Sequence, residues 1–169
     1  MVVKNPYVLQ VVGYSDSGKT TLLAKLIARF EQSGVRVGVI KHDGGHDFEW
    51  DQPGKDTRRY REAGASLLAI SSQTKTVIHQ QRPIPLPELV ERLTQAGAEL
   101  VLVEGFKREG YPKLVLIRKA EDQELLKTVT DIRGIVTWER LATDLWPQLS
   151  IHDDEAVFEF VKSQLETKD

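Results

Sequence analysis

Short apolar runs alternate with amphipathic stretches along this chain, and the alternation predicts a β–α–β succession. Residues 7–12 have the mostly apolar, β-branched character of a buried strand. Apolar side chains at positions 22, 23, 26, 27 and 30 then line one face of a predicted helix, which ends at Ser33-Gly34. Residues 35–40 form a second strand pattern. A strand, a crossover helix and a strand imply a right-handed unit with parallel strands.

The rest of the chain continues this alternation and predicts an α/β fold, a mostly parallel β-sheet flanked by helices in three layers. The strand predicted over 132–136 is the last one, and a closing amphipathic helix follows Asp153 or Asp154 with Ala156, Val157, Phe160, Val161 and Leu165 inward. The other predicted elements are a helix over 55–63, strands over 66–71 and 75–80, a helix over 88–96, strands over 100–104 and 114–118, and a short helical piece within 121–127.

Composition narrows the classes of protein to consider. The length of 169 residues suggests a single domain over 1–169. The net charge of −2 provides no general attraction to nucleic acid or to an anionic membrane. The absence of cysteine excludes disulfides, thiolate zinc sites and cysteine nucleophiles. No apolar run approaches a membrane span, and the first strand begins without a signal peptide before it, so a cytoplasmic protein is expected.

The turn between the first strand and the first helix carries the most specific chemistry. Gly13-Tyr14-Ser15-Asp16-Ser17-Gly18-Lys19-Thr20 fits the phosphate-loop pattern G-x-x-x-x-G-K-[ST] at every fixed position. Gly13 and Gly18 allow a tight turn, so that the amides from Asp16 through Ser17 to Thr20 can surround an anion. Lys19 supplies a mobile positive charge for the β- and γ-phosphates, and the hydroxyl of Thr20 suits Mg²⁺. The motif therefore predicts binding of a nucleoside triphosphate.

Glu104 ends a later apolar strand and is followed by Gly105, which resembles the Walker B strand of phosphate-loop proteins. A carboxylate there holds Mg²⁺ or orients the attacking water.

The loop over 41–51 follows the second strand at the sheet edge where ligands bind in α/β folds. His42 and His46, with Asp43 and Asp47, could ligate a metal there, or could contact phosphate and Mg²⁺ only through water. Arg58, Arg59 and Arg61 form a basic cluster that either faces solvent or binds an anion.

Several features of known nucleotide-binding classes are absent from the sequence. There is no N-K-x-D pattern for guanine, the second position of the phosphate loop is Tyr14 instead of a lysine, and no arginine-rich helical lid is evident. Thr137, just after the last predicted strand, is a candidate for contact with the base of the nucleotide. Three functions remain: a slow accessory GTPase, a small-molecule kinase with Glu104 or Asp43 as base, and a module that binds nucleotide without hydrolysing it.

Together these motifs resemble the molybdopterin-guanine dinucleotide biosynthesis protein B (MobB) family over about residues 7 to 137. The combination of K-H-x-x-x-H-D with V-E-G-F-K is more specific than the phosphate loop alone. The segments that carry the resemblance are Gly13–Thr21, Lys41-His42-Asp43 with His46-Asp47, Ala63-Gly64-Ala65, Leu102 to Lys107, and Pro112-Lys113.

The resemblance implies a homodimeric GTP-binding protein with weak, Mg²⁺-dependent GTPase activity. It would act beside the transferase that attaches GMP to molybdopterin, bringing nucleotide or pterin cofactor to its partner. By position, Asp16 to Thr21 would hold phosphates, Thr20 and Glu104 would serve Mg²⁺, and Asp43 would lie near the metal or the γ-phosphate. Candidates for contact with the anionic pterin or the partner surface are Lys41, His42, Lys107 and Lys113.

Overall fold

The computed structural model describes residues 5–44 and 55–167, and they fall into two compact units. The first unit contains the chain up to His42 and again from Leu86, and the second contains Asp43–Pro85. In the sequence, the second unit lies between the two parts of the first.

The described part of the first unit contains six strands and three α-helices. They are β1 (Tyr7–Val12), α1 (Lys19–Gln32), β2 (Val37–Lys41), α3 (Leu86–Gln95), β5 (Leu100–Glu104), β6 (Lys113–Ile117), a 3₁₀ helix (Ala120–Lys127), β7 (Ile132–Thr137), β8 (Gln148–Ser150) and α4 (Asp154–Glu166). The second unit contains α2 (Asp56–Glu62), β3 (Leu67–Ser71) and β4 (Thr76–Gln80). Among the described residues, no helix has the length and apolar character needed to cross a membrane.

The six strands form one parallel sheet in the order β2-β5-β1-β6-β7-β8. Val11 pairs with Glu104 across β1 and β5, and Lys41 pairs with Glu104 across β2 and β5. The carboxyl ends of β1, β2 and β5 therefore meet at one edge of the sheet. This register brings the phosphate loop, which follows β1, beside the Glu104 carboxylate.

Strand β8 corrects the prediction that β7 is the last strand. It has only three residues, of which Gln148 and Ser150 are polar, so no apolar run marks it in the sequence. Its pairing with β7 holds it in the sheet, and the side chain of Gln148 donates to the carbonyl of Leu141 at 3.0 Å. The closing segment, which matched no motif, thus completes the sheet next to the end of β7.

Helices cover both faces of the sheet, so the predicted three-layer arrangement is confirmed. On one face, α1 and α4 pack on alternate residues of β1. Phe30 of α1 meets Phe158 of α4 with ring centroids 4.8 Å apart, and both side chains are buried. Burial of such a side chain contributes about 1.5–3 kcal/mol. Phe158 was not among the predicted inward residues of α4, whereas Val157 and Val161 were and are buried. On the other face, α3 packs on Val8, Val101 and Val103.

The second unit contains a helix and an antiparallel hairpin. Strands β3 and β4 pair in register, with Ala69 opposite Ile78. Aliphatic side chains on this hairpin remain exposed, among them Leu67 at 64% and Ile78 at 71%. In α2, Arg58 pairs with Glu62 one turn later.

Candidate functional site

The phosphate loop joins β1 to α1 through two residues with left-handed backbone. Asp16 has φ 59° and Gly18 has φ 92°, and α1 starts at once with Lys19. Gly13 has no room for a side chain, because a Cβ there would lie 2.5 Å from Ser17 Oγ. The first amides of an α-helix have no acceptor within the helix, so those of α1 are available to a bound anion.

Lys19 lies folded over the loop. Its ammonium donates to the carbonyl oxygens of Gly13 at 3.1 Å and Tyr14 at 2.7 Å. Burial lowers the pKa of Lys19 from its ordinary value, while the nearby carboxylate of Glu104 acts in the opposite direction. A phosphate would replace two neutral acceptors by charged ones, and charge-assisted hydrogen bonds are roughly twice as strong. The arrangement therefore favours capture of an anion by this ammonium.

Thr20 and Glu104 approach each other across the end of the sheet. The Thr20 hydroxyl lies 3.4 Å and 3.5 Å from the two carboxylate oxygens of Glu104. Adjacent ligands of an octahedral Mg²⁺ stand about 3 Å apart, because each metal–oxygen distance is about 2.1 Å. These two groups can thus serve one Mg²⁺, directly or through its water, after a shift of a few tenths of an ångström.

A buried glutamine fixes the chain that follows Glu104. Gln10 of β1 is fully buried, and its side-chain amide donates to the carbonyl oxygens of Gly105 at 3.0 Å and Phe106 at 2.7 Å. Gly105 and Phe106 have φ 89° and 53°, so the backbone turns sharply there. The glutamine holds this turn, and it thereby sets the position of Glu104 relative to Thr20.

Two exposed lysines add positive charge at the same edge. The Lys107 ammonium lies 4.5 Å from the ring centroid of Tyr14, and Lys41 is the register partner of Glu104. Burial is the main cause of the lowered pKa of Lys19, and the positive charges of Lys107 and Lys41 act in the same direction.

His42 packs against the turn that follows β5. Its ring centroid lies 4.5 Å from that of Phe106, and its backbone amide donates to the carbonyl of Glu104 at 2.9 Å. Gly105 allows this contact, because a Cβ there would lie 3.2 Å from the Cβ of His42. His42 therefore supports the Glu104 turn from the β2 side.

The position of Lys113 corrects the expectation that it contacts an anionic ligand. The residue is fully buried, and its ammonium donates to the backbone carbonyls of Glu109 and, at 2.9 Å, Tyr111. Burial lowers the pKa of Lys113, opposed by the charges of Asp131 and Glu109. The side chain thus holds the loop over 105–112 from inside and offers no charge at the surface.

Only residues 41–44 of the loop predicted over 41–51 are described in the structure. Asp43 belongs to the second unit, whereas His42 belongs to the first. His46 and Asp47 lie outside the described residues. Within residues 5–44 and 55–167, no three His, Cys, Asp or Glu side chains gather as a metal site.

Aromatic and cationic side chains flank the other side of the phosphate loop. Arg118, just after β6, donates to the carbonyl of Asp16 at 2.6 Å, and its guanidinium lies 5.1 Å from the Trp138 ring. The indole N–H of Trp138 lies 3.5 Å from the carbonyl of Ser17. Thr137, the residue proposed for base contact, is buried in β7, while Trp138 is 37% exposed.

Comparison with known proteins agrees with this geometry. The family model described as "Molybdopterin guanine dinucleotide synthesis protein B" matches residues 8–138, which include the phosphate loop, Glu104 and Trp138. The chain belongs to the MobB family.

Curated relatives support the assignment to the MobB family. A Bacillus subtilis protein named "Probable molybdopterin-guanine dinucleotide biosynthesis adapter protein" is 34% identical over 98% of this chain and 97% of its own length. The Escherichia coli protein named "Molybdopterin-guanine dinucleotide biosynthesis adapter protein" is 35% identical over 90% of each chain. The crystal structure of Bacillus subtilis MobB has a TM-score of 0.83 at 32% identity, covering 95% of this chain and 99% of that one.

Three site residues of this MobB-family chain were not singled out from its sequence. Gln10 offered a signal, since it is the one polar residue in the predicted strand over 7–12. Arg118 and Trp138 each follow a strand directly, at the sheet edge where α/β folds bind ligands. The position directly after a strand was therefore the sequence signal that could have identified Arg118 and Trp138. For β7 this position is Trp138, one residue beyond Thr137.

Proposed function

We propose that this protein binds GTP with Mg²⁺ at its phosphate loop, hydrolyses it slowly, and serves in the cytoplasm as an adapter in molybdopterin-guanine dinucleotide biosynthesis. The observation that best supports binding of GTP with Mg²⁺ is the approach of Thr20 to Glu104 at 3.4 Å, with the ammonium of Lys19 on the same loop. The pathway follows from membership of the MobB family and from the adapter role in the names of its relatives.

The phosphate loop supplies the groups that this function needs. The amides from Asp16 to Thr21 bind the phosphate oxygens, and Lys19 neutralises the β- and γ-phosphates. Thr20 and Glu104 provide oxygen ligands for Mg²⁺, whose charge offsets the charge that develops on the phosphates.

Slow hydrolysis follows from how these side chains are engaged. Both carboxylate oxygens of Glu104 face the Thr20 hydroxyl, at 3.4 Å and 3.5 Å, which favours a role at Mg²⁺ over a role in positioning the attacking water. Arg118 reaches the loop, but its guanidinium donates to the backbone carbonyl of Asp16. Fast phosphate-loop hydrolases place an arginine on the transferring phosphate, often from a partner protein. Activation by such a partner is consistent with the role of an adapter.

The exposed lysines beside the nucleotide site are suited to recognise the pterin cofactor or a partner protein. Lys41 and Lys107 lie at the carboxyl end of the sheet, next to the phosphate loop. Molybdopterin carries a phosphate, and a lysine ammonium binds phosphate as a point charge. We assign to these two lysines contact with the anionic pterin or with an acidic surface of the GMP-attaching transferase.

The adapter role is tested by binding to that transferase loaded with molybdopterin, in the presence of Mg²⁺ and either GTP or ATP. Wild-type protein should bind it more tightly with GTP than with ATP. The double variant Lys41→Ala/Lys107→Ala should lose roughly tenfold or more in affinity, with a weaker salt dependence, because two charges leave the interface.

A double variant of two remote lysines serves as the control. Lys127 and Lys162 are surface residues that pair with nearby glutamates on their own helices, and their replacement by alanine should leave transferase affinity unchanged. Equal losses in the two double variants would contradict the assignment.

We further propose that the protein is a homodimer that associates through the hairpin of β3 and β4. An isolated two-stranded hairpin is marginally stable in water. This hairpin exposes Leu67 and Ile78 on one face, since Ala69, which shares a face with Leu67, is paired with Ile78. A second copy of the same surface would bury these aliphatic side chains symmetrically.

Ile78→Glu is expected to convert the dimer to a monomer, because it places charge in the apolar contact. The measurement is sedimentation equilibrium over a range of protein concentrations. Leu145→Glu is the matched control, since Leu145 is 77% exposed in the first unit and carries no role in association. A dimer that survives Ile78→Glu, or a monomeric wild type, would refute the proposal.

A further inference from the structure

The positions of Thr20 and Glu104 determine how a bound nucleotide would be oriented across the phosphate loop. A Mg²⁺ held by Thr20 and Glu104 would neutralise the terminal phosphates, which would therefore lie on the side of the loop that faces β5 and Glu104. The nucleoside must then leave on the opposite side, which faces β6, β7 and β8. This step rests on the proposed nucleotide function.

Three flat side chains, Arg118, Trp138 and His152, lie on that side of the loop and together form a wall. Trp138, at the end of β7, is 37% exposed, so part of its indole ring is open to a ligand. The guanidinium of Arg118 lies 5.1 Å from its ring, and the ring of His152, which follows β8, meets it edge-on at 5.2 Å. Three strand ends therefore contribute one flat side chain each to the same patch.

The wall is joined to the phosphate loop by a cavity of about 170 Å³. Its lining includes Gly18 and Thr21 of the phosphate-loop segment, Trp138 and His152 of the wall, and Ile151, which follows β8. Trp138 comes so close to the loop that a Cβ on Gly18 would lie 3.8 Å from the indole ring. A group attached to the phosphates and passing Thr21 therefore enters this cavity and meets the wall.

We propose that Trp138 is the principal contact of the nucleotide base, which stacks against the indole with Arg118 and His152 beside it. Stacking suits a purine because both partners are flat and aromatic, and it does not require the hydrogen-bonding pattern of an N-K-x-D motif. Trp138 thus supplies affinity for the nucleoside part, while the loop supplies affinity for the phosphates.

The test compares GTP with inorganic tripolyphosphate, which offers the phosphates without the base. Trp138→Leu should weaken binding of GTP by about 5- to 150-fold, the range measured for the loss of one aromatic stacking partner. Binding of tripolyphosphate should stay unchanged, and Trp138→Phe should recover part of the GTP affinity. Trp146→Phe is the control, because Trp146 packs against a different part of the core, and it should change neither affinity.

Fluorescence gives a second readout. The chain has three tryptophans, so Trp50→Phe/Trp146→Phe leaves Trp138 as the sole indole. GTP should quench its emission and tripolyphosphate should not. Equal weakening of both ligands by Trp138→Leu would overturn the inference and make Trp138 a support of the loop. Failure of the wild type to bind either ligand would instead overturn the proposed nucleotide function.

Discussion

Lys19→Ala is expected to weaken binding of GTP by at least about 100-fold while the fold survives. In the proposed complex the ammonium would make charge-assisted contacts to two phosphates, each of which contributes about 1.5–3 kcal/mol. In the free protein the same group donates to the carbonyls of Gly13 and Tyr14, and water can replace it there because the loop lies at the surface. Isothermal calorimetry measures the affinity, and circular dichroism checks the fold.

Lys127→Ala is the matched control for this substitution. Its ammonium makes an exposed ion pair with Glu124 on the 3₁₀ helix, so the charge change is the same and the location is remote. The control should bind GTP as the wild type does. Retention of wild-type affinity by Lys19→Ala would disprove the phosphate-loop assignment.

Glu104→Gln is expected to reduce hydrolysis by about 100-fold or more and binding of GTP with Mg²⁺ by only a few-fold. The amide keeps the shape of the side chain but loses the charge that faces the Thr20 hydroxyl. Stabilisation of the charge that develops in the transition state depends on the placement of Mg²⁺, and one lost electrostatic partner there typically costs two to three orders of magnitude in rate. Ground-state affinity rests mainly on the loop amides and Lys19.

The control is Glu99→Gln, at the opposite end of β5 from Glu104. Glu99 immediately precedes β5, whereas Glu104 ends it, and Glu99 accepts a hydrogen bond from the backbone amide of Arg36. Released phosphate and calorimetric affinity are measured for both variants. Equal losses of binding and hydrolysis in Glu104→Gln would argue against a role in catalysis.

The sequence contained enough to predict the fold, the family and most of the phosphate site. A phosphate loop works through backbone geometry that few residue types allow, so Gly13, Gly18 and Lys19 are recognisable at fixed spacing. Glu104 was recognisable for a similar reason, because an apolar strand that ends in a carboxylate and a glycine is a marked pattern.

Other parts of the site depend on which strands become neighbours, and local pattern does not reveal that. Lys113 followed a basic, polar loop and was assigned to a ligand, yet its pairing with Gln10 on β1 places it inside the sheet. Strand β8 has too few residues for a periodicity to appear. Trp138 gains its place beside the phosphate loop only because β7 and β8 extend the sheet on that side.

The adjacency of Gln10 and Lys113 has a consequence for how a partner would sense the nucleotide. From neighbouring strands, these two buried donors bind the backbone of the loop over 105–112 at both of its ends. A loop held in this way would keep the backbone of Lys107 in the same place before and after hydrolysis. A partner that docks on this loop would therefore detect the negative charge of the bound phosphates themselves. It would not detect a change in the shape of the loop.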